Sequence, residues 1–414
     1  MNGTVTMIDS QEIRKELDCL RARRYPDFVF SRKGTLCGGE IPVFTAHTIE
    51  PESFEEQLRY LAENGYAALS GDQFCDHLAG NRPAGERSVL LTIDDGRRSV
   101  WTFAYPLLKK YGLRAVVFLI PGFVRESSAL RPTLEDLWSG RCRMDDLPED
   151  RAGDDPLISW AEAAAMYRDG VIDFQSHTAS HHHIFTDPKI VDFCRPDRGG
   201  MIYDLPVSPG REQQLIDGGM AALWGMPIYR HAPLMAGRPR YIDDPRVTDG
   251  CIATVARAEG PVFFRRPSWR RELMDFCRKE LSRRHSPARL QSPGEVEAAI
   301  REDLERSREC IEEHLDGHRV RHLCYPYGVG SDLSVRLSRE SGYASNVWSI
   351  REDRRTNRPG DDPFAIVRLK TDYIFRLAGR GRRSLLSVLA AKVRRRLNRS
   401  LDYGGLRPPG ENTR

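Results

Sequence analysis

The chain has 414 residues, 40% hydrophobic and 29% charged. That suits one large domain with insertions, or two ordinary ones, and excludes a fibrous, low-complexity or mainly disordered protein. With 63 Lys and Arg against 59 Asp and Glu, the net charge of +4 is too small to make the whole surface a nucleic-acid footprint.

No apolar run approaches the roughly 20 residues of a membrane span. The opening MNGTVTMIDSQEIRKELDCL has no basic region followed by an apolar stretch, so no secretory signal is read there. Nine cysteines without a C-x-x-C pair are expected to be reduced thiols in a cytoplasmic protein.

Residues 1–39 read as a polar extension. Ile41–Ala46 has the apolar density of a buried strand. Phe54, Leu58 and Leu61, spaced four and three apart, predict a helix over Glu52–Asn64 that stops at Gly65. Ser88–Ile93 is a second strand, Val100–Tyr111 a helix ended by Gly112, and Arg114–Ile120 a continuous apolar strand of the parallel type. Ser159 and Glu162 form a capping-box signature for a helix to Arg168, followed by a strand over Val171–Ser176. A long charged helix over Gly294–Leu315, a strand over Arg321–Tyr325, a helix over Asp332–Ser341 and strands over Tyr343–Trp348 and Phe364–Leu369 complete the pattern. Such alternation predicts an α/β architecture with a parallel sheet. Segments 125–156 and 187–293 break the rhythm and read as insertions in a body spanning 40–373.

Three motifs follow predicted strands, where parallel sheets place their sites. In Thr92-Ile93-Asp94-Asp95-Gly96, two carboxylates precede a glycine. One strand conformation cannot aim both at a single site, whereas a turn beginning at the pair could, and Gly96 permits it; the alternative is a solvated strand end with an N-cap for the next helix. In Ser176-His177-Thr178-Ala179-Ser180-His181-His182-His183, a helical turn would stack His177 and His181 within reach of one divalent ion. Leu323-Cys324-Tyr325-Pro326-Tyr327-Gly328 reads as a structural turn whose aromatic residues could line a sugar groove.

In this order the motifs resemble the NodB-homology polysaccharide deacetylases, carbohydrate esterases that remove N-acetyl groups from glycans. TIDDG is similar to that family's TFDDG, HTASH fits its His-Ser/Thr-x-x-His pattern, and CYPYG looks like a Tyr-Pro-Tyr-Gly subset. Ala46-His47 stands where the family's first strand commonly has Tyr-His. The resemblance covers roughly 40–125, 157–185 and 290–372.

It implies a distorted, incomplete (β/α) barrel and an N-deacetylase that uses a divalent metal ion, taken as Zn2+. Asp94 would be the general base, Asp95, His177 and His181 the metal ligands, and the Tyr327 N–H an oxyanion donor. His47, Tyr325, Pro326 and Trp348 are carried as substrate-binding candidates, with a core role as the alternative for His47 and Trp348.

Two features depart from the family. Its Arg that orients the base is replaced by Cys324, and the late Leu-x-His that supplies the acid is absent from Val367-Arg368-Leu369-Lys370-Thr371. His182, His183, His322 and Lys370 remain as candidates for the acid. The expected substrate is an amino-sugar glycan or a lipid-linked sugar. The alternatives are a formamido sugar as substrate, or a glycan-binding scaffold with a decayed site.

The segment 374–414 holds 11 Lys and Arg against 2 Asp and Glu, a net of +9 that leaves the rest of the chain at −5. Leu386, Leu389, Val393 and Leu397 fall on one helical face, which describes a basic amphipathic helix. It is expected either to dock that stripe on the barrel or to touch the inner membrane.

Overall fold

Seven strands form a parallel ring in this computed structural model, which describes residues 14, 16–147, 156–198, 200–282 and 287–397. In chain order they are β1 (Val43–Ala46), β3 (Ser88–Asp95), β4 (Ala115–Leu119), β5 (Ile172–Ser176), β10 (His322–Cys324), β11 (Ser345–Val347) and β12 (Leu369–Lys370). Around the ring the order is β11-β10-β5-β4-β3-β1-β12, and the short β2 (Ala67–Ala68) pairs beside β3. A single parallel bridge, Val347 to Ile366, joins the two edges. The sheet therefore curls into a distorted (β/α) barrel, as the family resemblance implies.

Side-chain alternation sorts each strand into an inner and an outer row. Val43, Leu90, Val116, Phe118, Cys324 and Val347 fill the barrel, which Phe74 and Leu78 of the helix Gly71–Leu78 plug from below. Phe44, Leu91, Ile93, Val117, Leu119, Phe174 and Leu323 face outward into a larger core beneath the helices. Those helices are largely the expected ones: Pro51–Glu63, Trp160–Arg168, Pro293–His314 and Asp332–Glu340. The Ser159–Glu162 capping box is present.

Two local expectations change, and one helix had not been read. Val100–Tyr111 opens as a π-helical turn over Val100–Ala104 before the α-helix Tyr105–Tyr111. Phe364–Leu369 is not one strand, because Asp362 caps the Phe364 N–H and Pro363 starts a 3-10 turn, leaving only Ile366 and β12 to pair. The helix Gly71–Leu78 lacked a distinct signal, although Ser70 and Gln73 form its capping box.

The large insertion begins earlier than 187. Its hairpin of β6 (His183–Phe193) and β7 (Pro227–Pro233) starts two residues after His181. A second pair, β8 (Tyr241–Ile242) with β9 (Arg289–Leu290), and the helices Pro245–Arg257 and Trp269–Leu281 complete it. One of its cores includes Ile120, Phe123 and Leu157 of the barrel, so the insertion is packed onto the ring rather than looped away from it. Parts of the extension, of 125–156 and of the tail beyond 397 lie outside the described residues.

Candidate metal centre and active site

The site forms at the C-terminal ends of the strands, inside the ring. Asp94 points inward by alternation in β3. Asp95 would point outward, but its φ of +72° turns it back to the same side, and Gly96 follows at φ +79°. The turn expected at the pair is thus made within the last strand residue. The His177–His181 loop is not the expected helical turn. Thr178 and His181 both have positive φ, yet the two imidazole rings end 4.9 Å apart. Asp303, from the helix Pro293–His314, pins that loop by accepting from the Ala179 N–H at 3.0 Å and the Ser180 hydroxyl at 2.6 Å.

Asp95 Oδ1 lies 3.7 Å from His177 Nε2 and 3.8 Å from His181 Nε2. It is buried and has no hydrogen-bond partner. Asp95 Oδ2, in contrast, receives Arg97 at 2.9 and 2.8 Å and the Tyr203 hydroxyl at 3.0 Å. One oxygen is held and the other is left bare between two imidazoles, so the set fits a divalent cation. His177 Nδ1 donates to the Cys324 carbonyl at 2.8 Å, which leaves Nε2 as the lone-pair side. Burial pushes His177 down to about 4, so it is neutral, as a ligand requires. Asp94, His177 and Cys324 make a second close group, but burial holds the Cys324 thiol well above its usual range.

Asp94 accepts two hydrogen bonds from one guanidinium: Arg368 Nη1 to Oδ1 at 2.6 Å and Nη2 to Oδ2 at 2.7 Å. Arg368 also reaches Thr92 Oγ1 and the Trp348 carbonyl. Burial alone would raise the Asp94 carboxyl, but Arg368, His177 and His47 outweigh it and hold the group below the usual range. The guanidinium missing at Cys324 therefore comes from the neighbourhood of β12. The sequence showed an Arg there, but nothing in its local pattern aimed it at Asp94.

Other candidates separate. His47 Nε2 lies 3.6 Å from Asp94 Oδ2 with a half-exposed side chain, so it is at the mouth rather than in the core. Tyr327 has φ +58°, and its ring lies 4.5 Å from His181 and 4.1 Å from His183. The hydrogen bonds of its turn run from the Gly328 N–H to the Tyr325 carbonyl and from Val329 to Pro326. Pro326 is buried in that turn.

Tyr325 and Trp348 are corrections to the groove expectation. Both fall on the outer row, pack edge to face at 4.6 Å, and bury their polar atoms against Asn346 and the Phe364 carbonyl. His322 sits at the opposite end of the barrel, bonded to Ser345 Oγ at 2.9 Å and facing Asp72 at 3.3 Å, which removes it as an acid. Lys370 is exposed on β12, near Lys392. His182 faces Glu212, Arg240 and Arg306.

Two residues of the insertion were not anticipated. Tyr203 bonds Asp95, and Asp204 lies 3.4 Å from His181 Nδ1 while accepting the Tyr327 hydroxyl at 2.8 Å. They come from a 3-10 turn, Ile202–Asp204, inside a segment with no periodic signal.

Residues 81–192 match the family model described as polysaccharide deacetylase. A poly-beta-1,6-N-acetyl-D-glucosamine N-deacetylase of Escherichia coli (strain K12) is 25% identical over 136 residues, covering 33% of this chain and 18% of that protein. The protein of the same name from Staphylococcus aureus (strain MRSA252) is 26% identical over 144 residues, covering 34% and 41%. The chain spans less than half the length of the curated relatives it matches. A solved de-N-acetylase from Aggregatibacter actinomycetemcomitans aligns over 80% of this chain and 95% of its own, with 16% identity and a TM-score of 0.48. The stretch matched by the polysaccharide deacetylase family model, residues 81–192, holds Asp94, Asp95, His177 and His181.

Proposed function

We propose that this protein is a metal-dependent hydrolase that removes an N-acyl group, acetyl in the simplest case, from an amino sugar of a glycan or glycolipid precursor made in the cytoplasm. The observation that carries this reading is the Asp94 carboxylate, clamped by Arg368 beside the Asp95–His177–His181 set. The relatives named as N-deacetylases of poly-N-acetylglucosamine support the amino-sugar class.

Asp95, His177 and His181 would hold the ion. Zn2+ suits two imidazoles and a carboxylate, with a position left for water. The bound ion supplies Lewis acidity and a water whose pKa falls toward about 7. Asp94 is ionised, and Arg368 occupies both its oxygens along one edge, so the free lone pairs of Oδ2 face His47 and the site. It accepts the proton of the attacking water. The Tyr327 N–H, presented by the positive-φ turn, donates to the carbonyl oxygen as negative charge develops there. His47, at 3.6 Å from Asp94 Oδ2, is placed to pass a proton to the departing amine. No separate late histidine is then needed.

The scaffold alternative rests on the missing Arg and His; the Arg368 pairing with Asp94 counts against its first ground, and the proposed acid role of His47 would answer the second. Acetate release from N-acetylglucosamine oligomers, and formate release from a formamido sugar, test the activity and the acyl group together. Asp94→Asn should abolish release and leave one zinc per chain by mass spectrometry. Full activity in Asp94→Asn would remove the base assignment.

A further inference from the structure

The C-terminal helix Leu385–Leu397 docks through Val388 and Lys392 and leaves Leu386 and Val393 of its apolar stripe exposed. Val388 is buried in the main core, and Leu385 packs beside it. Lys392 is buried with them, pairing with Glu16 and lying 3.5 Å from Asp372. Arg395 pairs with Asp372 and reaches Glu50 at 3.7 Å. At about 100° per residue, Leu386 and Val393 project opposite Val388. They are 79% and 48% exposed, and Ala390 between them is exposed too. The ion pairs fix the helix about its axis, so it cannot roll to bury that ridge.

Charge selects the occupant. Arg394, next to Val393 in the helix, and Arg380, just before it in sequence, are exposed, and the segment 374–414 carries a net +9. A second copy would set this charge against itself, whereas an anionic bilayer surface offers both an apolar layer and negative headgroups. Among the described residues no helix is long and apolar enough to cross a membrane, which leaves a helix lying in the interface. The place also suits a lipid-borne substrate. Glu50 and Ser53, which Arg395 touches, follow His47 closely at the mouth of the site.

We propose that the outward face of Leu385–Leu397 seats this protein on anionic membrane surfaces, with Leu386 and Val393 in the interfacial layer and Arg380 and Arg394 on lipid headgroups. The binding stands without the catalytic reading. Only its use, to bring the mouth to a lipid-linked amino sugar, rests on that reading.

The test is flotation of the full chain with phosphatidylcholine vesicles, with and without phosphatidylglycerol, in low salt and in ~1 M salt. The expected result is binding to the anionic vesicles only, weakened by salt. It should fall about tenfold or more in L386E/V393E and in R380E/R394E, while thermal unfolding and turnover of a soluble acylated sugar stay unchanged. Equal binding to neutral vesicles, unchanged binding by L386E/V393E, or a dimer in sedimentation that this variant dissolves would overturn the proposal. Vesicle binding by a chain that releases no acyl group would uphold it and remove the catalytic reading instead.

Discussion

Arg368 and Asp94 stand 274 positions apart in sequence and meet inside the barrel through two parallel hydrogen bonds, 2.6 and 2.7 Å long. Both side chains are almost fully buried. A fork-to-carboxylate pair in this setting restrains both oxygens of the base at once, which a point charge cannot do.

Arg368→Ala leaves an unpaired carboxylate in the barrel and should destabilise the protein by about 3–5 kcal/mol. Arg368→Lys keeps the charge but makes only one bond. It should fold, hold zinc and lose kcat with little change in KM. Urea melts and steady-state kinetics on the two variants check this, and a lysine variant with full kcat would show that the second bond does not position the base.

Asp204 backs His181 in the manner of the carboxylates that orient metal-bound imidazoles. Asp204→Asn should weaken zinc binding about 10–100-fold in competition with a chelator. Tyr203→Phe, which removes the donor to Asp95 Oδ2, should weaken it less, since Arg97 still holds that oxygen. Unchanged zinc affinity in both would mean that the insertion only covers the centre.

Gly96 and Gly65 share positive φ, +79° and +69°. A Cβ at Gly96 would overlap Leu119 Cδ1, whereas one at Gly65 meets nothing within 4 Å. Gly65→Ala should therefore cost about 1 kcal/mol from backbone strain alone. Gly96→Ala adds overpacking of about 1–3 kcal/mol and displaces Asp95. Melting temperatures and zinc content of the two variants separate the effects, and equal losses would sink the explanation.

Glu40 is buried, with Oε1 unpartnered and Arg358 4.0 Å from Oε2. Burial raises its carboxyl from 4.5 to about 7, with Arg358 opposing. A raised carboxyl favours the folded state while protonated, so its contribution is complete below pH 4.5 and is lost as pH rises through about 7. The loss is at most about 3 kcal/mol. Glu40→Gln should match the parent at pH 5 and melt higher at pH 8. Parallel melting curves across that range would refute the assignment.

The local signals were strong where chemistry sits at strand ends. The alternation of strands with helices was enough to read the α/β class, and TIDDG and HTASH to single out Asp94, Asp95, His177 and His181, because these depend on periodicity and short spacings, while the barrel and the roles of those residues were implied by the family resemblance. Cys324 illustrates the limit. Its own motif announced a missing guanidinium, and the replacement lay on a strand that becomes a neighbour only when the ring closes at Val347 and Ile366. Tyr325 and Trp348 show the same limit in reverse. Tyr325 in its motif and Trp348 after its strand were candidates for a sugar groove, with a structural turn or a core position as the alternative, and the pleat sends both to the outer row.

The sequence by itself determined the α/β class, the Asp-Asp and His-x3-His pairs at strand ends and the basic character of the tail, since each is carried by composition, spacing or hydrophobic period within a few residues. Only the tertiary structure decided that Arg368 clamps Asp94, that Tyr203 and Asp204 meet Asp95 and His181, and that the tail docks through Val388 and Lys392 and leaves Leu386 and Val393 outward. Those are contacts between segments far apart in the chain, and their partners are chosen by barrel closure and the burial of charge, which no local pattern records.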